Sequence, residues 1–164
     1  MHNNFRLCGV FQVSCFDSDG NLRWEAEARN LVVNTGLQHA LDVIFLSATQ
    51  IASWFIGITG ASPIANAGDT MVTHAGWTEV VGYDELVRQG YVGVRTGQTL
   101  TNSASPAFFT IGGDITIGGL FVTTDDTKGG ADGTLFSMAA FTTGDKIASV
   151  GNILSVTYSL SAST

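Results

Sequence analysis

Positive charge is scarce in this chain. Only seven of its 164 residues are Lys or Arg, spread thinly from Arg6 to Lys146, against 14 Asp and Glu, for a formal net charge of −7. Such a balance repels a phosphate backbone. No run of basic residues interleaves with aromatics, so the electrostatic footprint of a nucleic-acid binder is missing. Charged residues of both signs make up 13%, roughly half the usual share of a soluble domain. The expectation is that something other than water covers part of the surface.

Long apolar runs are also lacking. Nothing approaches the ~18 consecutive apolar residues of a spanning helix, which leaves no membrane partner to expect. The start, Met1-His2-Asn3-Asn4-Phe5-Arg6, lacks a signal peptide's basic head and apolar centre, so synthesis in a host cytoplasm is expected. Cysteine is limited to Cys8 and Cys15. On one straight strand they stand roughly 23 Å apart on opposite faces, too far for a mutual disulfide. They read as small hydrophobes. There is no internal repeat, linker or composition boundary, and residues 1–164 are expected to form one domain.

With 20 Gly, 2 Pro and 45% hydrophobic residues, short apolar runs between Thr, Ser and Gly predict an all-β domain. The opening is a hairpin. Phe5, Leu7, Phe11, Val13 and Cys15 share a face, then Asp17-Ser18-Asp19-Gly20 turns into Leu22, Trp24, Ala26 and Ala28, alternating with Arg23, Glu25, Glu27 and Arg29. One short α-helix is predicted over about 35–46. Thr35 and Gln38 have capping-box spacing, and Leu37, Ala40, Leu41, Ile44 and Phe45 form a stripe expected to lie over the sheet core, with His39 and Asp42 solvated. Strands are predicted near 54–59, 77–81, 89–95, 98–101, 107–111, 114–122, 134–141 and 153–160. In the last, Leu154, Val156, Tyr158 and Leu160 alternate with Ser155, Thr157, Ser159 and Ser161. Residues 60–76 read as a long surface loop.

No assembled chemistry emerges. Asp17-x-Asp19-Gly20-Asn21 opens like a calcium loop but lacks the closing Glu and flanking helices, and a hairpin turn uses the same residues. Asp125-Asp126-Thr127-Lys128-Gly129-Gly130 reads as a mobile loop rather than a metal cage. Gly112-Gly113 and Gly118-Gly119 lie in strand context without a helix start. His2, His39 and His74 are scattered and match no catalytic motif. The carboxylate pairs Asp84-Glu85 and Glu25 with Glu27 fall on polar faces. No catalytic, cofactor-binding or metal residues are assigned.

The aromatics and the apolar strand remain. Most of Trp24, Trp54, Trp77 and the ten Phe should fill the core. Leu135 to Phe141 is apolar on both faces, so it is either central or covered by a partner. Trp77, which enters a strand from a glycine-bearing loop, and Phe136 and Met138 on the two-faced strand are the candidate interface residues. Low charge and this strand together predict a homo-dimer or trimer.

Phe11-x-Val13-x-Cys15-Phe16-Asp17-x-x-Gly20, Asn30-Leu31-Val32-Val33-Asn34-x-Gly36-Leu37, Ala67-Gly68-Asp69-Thr70-Met71, His74-Ala75-Gly76-Trp77-Thr78-Glu79, Asn102-Ser103-Ala104-Ser105 and Thr127-Lys128-Gly129-Gly130 occur in this order. With the closing strand they resemble head decoration (cement) proteins of tailed bacteriophages along nearly the whole chain. The resemblance implies a β-sandwich of jelly-roll type on the outside of an icosahedral capsid, with the major capsid protein as partner and no catalytic residues. The alternative from another class is a carbohydrate- or receptor-binding module of a phage tail or fibre. That module needs an exposed row of aromatics beside Asp or Asn, whereas a capsid binder needs apolar patches. A lysin-like hydrolase needs a perturbed acid in a cleft.

Overall fold

The computed structural model describes residues 6–163, and Phe5 and His2 lie outside them. β1 (Arg6–Phe16) and β2 (Leu22–Arg29) form the hairpin, with Phe11, Val13, Cys15, Ala26 and Ala28 turned inward. Gly20 closes its turn at φ 83°, a conformation that side chains resist. The Asp17 carboxylate accepts from the backbone N–H of Asn21 (2.9 Å) and Asp19 (3.1 Å). These bonds hold its pKa below the ordinary value, Asn21 contributing most. The residues that suggested a calcium loop therefore serve the turn.

The remaining elements are β3 (Leu31–Val32), α1 (Asn34–Phe45), β4 (Phe55–Thr59), β5 (Glu79–Val80), β6 (Gln89–Gly90), β7 (Val94–Thr96), β8 (Thr99–Thr101), β9 (Ala107–Thr110), β10 (Ile115–Ile117), β11 (Gly119–Thr123), β12 (Leu135–Ala140), β13 (Lys146–Ala148) and β14 (Ile153–Ser163). The expected strands at 89–95 and 114–122 each break in two. β3 and β13 were not expected, because two or three residues carry too little alternation to be recognised locally.

The protein is mostly β, with antiparallel sheets and one short helix. One six-stranded sheet runs β2-β1-β14-β8-β7, with β9 also on β14; the other runs β3-β12-β11-β4-β5, with β6 on β4; β10 and β13 pair separately. β1 and β14 pair along their whole length, from Arg6 with Ser163 to Phe16 with Ile153. The main core draws Phe11, Phe109, Val156 and Tyr158 from the first sheet and Ile56, Ile58, Leu120 and Phe136 from the second. β14 keeps its expected two faces, with Leu154, Val156 and Tyr158 buried.

Two expectations fail around α1. The capping box does not form: Val33 occupies the N-cap position without a side-chain bond. Thr35 instead donates its hydroxyl to the Leu135 carbonyl on β12 at 2.7 Å, and the Asn34 N–H reaches the Ala67 carbonyl at 2.8 Å. The stripe also does not face the core. Gly36 is the only fully buried helix residue, and the inward side is completed by half-buried His39, Ala40 and Val43. The reason is backbone contact: a Cβ on Gly36 would stand 2.9 Å from Phe136 Cα and closer still to its carbonyl oxygen. That glycine seats the helix and fixes its rotation.

Segment 60–76 has no regular structure, as expected, but it is packed rather than loose. It folds back over the second sheet and buries Asp69 and Met71. Ile64 N–H bonds to Gly76 O at 2.8 Å, and the Asp69 carboxylate accepts from Asn66 N–H at 3.0 Å and Trp77 Nε1–H at 3.1 Å.

Candidate functional site

The three residues expected at an interface lie inside the chain. Trp77 is 4%, Phe136 9% and Met138 0% exposed. Trp77 and Met138 join Val33, Met71, Phe121 and Leu135 in a second core beneath segment 60–76. His74 stacks on the Trp77 ring at 3.8 Å and its Nδ1 pairs with the Trp77 carbonyl at 2.9 Å. Phe136 faces the main core, against Trp54 at 5.4 Å. β12 is thus covered on both faces by its own chain, which corrects the placement of Trp77, Phe136 and Met138 at a partner surface. Phe136 alone reaches a surface depression, an apolar cleft of about 130 Å³ shared with Trp54, Tyr91, Leu100, Tyr158 and Leu160.

The polar candidates are occupied locally. Glu85 accepts the Thr110 N–H through both oxygens (3.0 and 3.1 Å), Glu25 accepts the Ser14 hydroxyl (3.0 Å), and Glu27 meets exposed Arg29 at 3.4 Å. His39 lies edge-on to Trp54 at 5.7 Å. Cys8 and Cys15 are both free, Cys8 exposed and Cys15 buried, as their odd spacing on β1 requires. Burial pushes the Cys15 thiol up to about 11 and the Tyr91 phenol up to about 12. A groove of about 480 Å³ on the outer face of the first sheet is lined by Gln12, Ser14, Glu25, Glu27, Ser155 and Thr157 among others. No aromatic ring lines it, so it offers no stacking platform for a sugar.

A feature invisible to local sequence reading is the anchor around Arg88, which is 0% exposed. Its guanidinium grips Glu79 with two bonds (2.9 and 2.7 Å) and donates to the carbonyls of Asp125 (2.9 Å) and Gly130 (2.7 Å). Lys128 reaches the Tyr83 and Glu85 carbonyls, both at 2.7 Å, with its ammonium over the Tyr83 ring. Residues 125–130, read as a mobile loop, are therefore clamped against 79–88. The clamp holds Leu86 outward at 89% exposure, with Val87 beside it. A rigidly held apolar tip loses little entropy on contact.

The second apolar surface is α1. Leu37, Leu41, Ile44, Phe45 and Leu46 stand 42 to 74% exposed. Asp42 is the helix's only formally charged side chain and is half-buried. α1 follows β3, one edge of the second sheet, whereas Leu86 lies between β5 and β6, both beyond β4 on the other side. α1 itself packs over β12, with His39 against Trp54 just ahead of β4, while the Leu86 tip projects from the segment that joins β5 to β6. No family model matches the chain, and no curated protein matches it.

Proposed function

We propose that this protein is a non-enzymatic structural component of a virion that binds the outside of an icosahedral phage capsid and stabilises it by bridging major capsid subunits. One observation carries the reading: among the exposed apolar side chains, two sets stand on different elements, the α1 stripe and the clamped Leu86-Val87 tip between β5 and β6. A bridge needs two contact surfaces that a single partner does not cover. Large exposed apolar patches mark such contacts, and many modest ones repeated by symmetry sum to a large resistance to rupture. The resemblance to capsid decoration proteins points the same way.

A jelly-roll sandwich belongs to this proposal. It is supported by the two six-stranded antiparallel sheets, in which strands far apart in the chain are neighbours, β1 beside β14 and β3 beside β12. The outer capsid surface follows from the acidic net charge, which suits a position away from packaged DNA. The aromatic row that a carbohydrate-binding module needs has no counterpart in the groove beside Glu25 and Glu27.

The test adds purified protein to expanded shells that lack it. Saturable binding, a higher rupture temperature and weak salt dependence are expected, because the contact surfaces are apolar. Leu86→Glu should weaken binding while leaving the fold intact. Failure to bind shells, with binding to host glycans or presence on tails only, overturns the reading in favour of a receptor-binding module.

A further inference from the structure

We propose that the exposed face of α1 is the docking site for a second copy of this chain, packed helix against helix about a two-fold axis. The inference rests on the reading of the two apolar surfaces as contact surfaces, and it assigns one of them.

The helix is fixed to the body through its first turn and, further along, through half-buried His39, Ala40 and Val43, with His39 against Trp54. Thr35 bonds to the Leu135 carbonyl, Asn34 to the Ala67 carbonyl, and Gly36 seats on the Phe136 backbone. Beyond that, Leu41, Ile44, Phe45 and Leu46 project from the body at 53, 61, 74 and 73% exposure. Twelve residues are too few to hold a helix in water without tertiary packing; the inward side supplies that packing, and the apolar stripe on the outward side is left uncovered.

Three features select a second copy as the cover. Leu37, Leu41 and Ile44 follow one another on α1 at intervals of four and three, the spacing with which one helix presents knobs to another. The stripe carries no charge, so two copies that each bear −7 meet without opposing like charges at the contact. A two-fold contact must be self-complementary, and a neutral apolar stripe is. The area also suffices: Leu37, Leu41, Ile44 and Phe45 together offer on the order of 500 Å² per copy, hence about 1,000 Å² for the pair, which reaches the lower bound of a specific interface. In the resulting dimer each copy keeps its Leu86 tip free, so one dimer presents two capsid-facing anchors.

The test uses the isolated chain, without shells. Sedimentation equilibrium of the wild type at about 50 µM should give a dimer, and Ile44→Glu should weaken dimerisation at least about tenfold. Because Ile44 is exposed, that variant should keep its thermal transition. In a Cys8→Ser background, Leu41→Cys should oxidise to a covalent dimer and Leu86→Cys should not. A monomeric wild type, or an Ile44→Glu variant that dimerises as tightly as wild type, overturns the proposal. So does crosslinking through Leu86→Cys but not Leu41→Cys. Shell binding by a wild-type monomer would sink the dimer and leave the capsid reading standing; a dimer that ignores shells would do the reverse.

Discussion

Replacing Arg88 with Met tests whether the buried anchor organises the 79–88 and 125–130 segments. The substitution keeps the aliphatic volume but leaves the Glu79 carboxylate, only 8% exposed, without its guanidinium partner. It also strips the donor from the carbonyls of Asp125 and Gly130. Removing one partner of a buried pair costs about 3–5 kcal/mol, because the other charge stays desolvated. At about 2–4 °C per kcal/mol for a chain of this length, Tm should fall by roughly 6–20 °C. Adding Glu79→Gln removes the uncompensated charge but not the orphaned carbonyls, each of which costs about 1–3 kcal/mol. The double variant should therefore recover part of the loss and remain below wild type. Urea titrations of the wild type, the single variant and the double variant measure all three, with the midpoint shifting and the slope unchanged. If Arg88→Met came within about 1 kcal/mol of wild type, or if the double variant matched wild type fully, the anchor would not work as described.

Gly36→Ala separates local propensity from packing: propensity alone favours Ala by about 1 kcal/mol, whereas the overlap with the Phe136 backbone should produce a net loss of about 1–3 kcal/mol. A raised Tm would refute the seating of α1. Tyr158→Phe removes the hydroxyl that Asn30 donates to and leaves a half-buried amide short of a partner, for an expected cost of about 1–2 kcal/mol in denaturant titration. For the cysteines, native protein should show one fast-reacting thiol, Cys8, and a second only on unfolding. Cys15 keeps its proton longer in the folded state, its pKa being raised from 9.0 to about 11. Its contribution is full below pH 9 and is lost as pH rises through about 11, so the urea midpoint should fall across that interval. A midpoint that is flat or rising there contradicts the burial of the thiol.

Local pattern was enough for the longest elements. β1, β2 and β14 alternate between core and surface over eight to eleven residues, and α1 lies within a residue of its expected position. Period and turn chemistry act between near neighbours, so a reader of the chain sees them. The face that α1 buries depended on the backbone of Phe136 and the carbonyl of Leu135, about 100 residues away, and those contacts turned the apolar stripe outward. Trp77, Phe136 and Met138 went inward because segment 60–76 and the opposing sheet close over both faces of β12, a long-range event with no local signature. Arg88 carries no local signal of its role, and only the convergence of Glu79, Asp125 and Gly130 gave it a desolvated partner set. The sequence alone therefore determined the long strands and where the helix lies, because those follow from periodicity. Which apolar side chains are left for a partner was decided by the tertiary structure, since burial is a property of what the chain brings together.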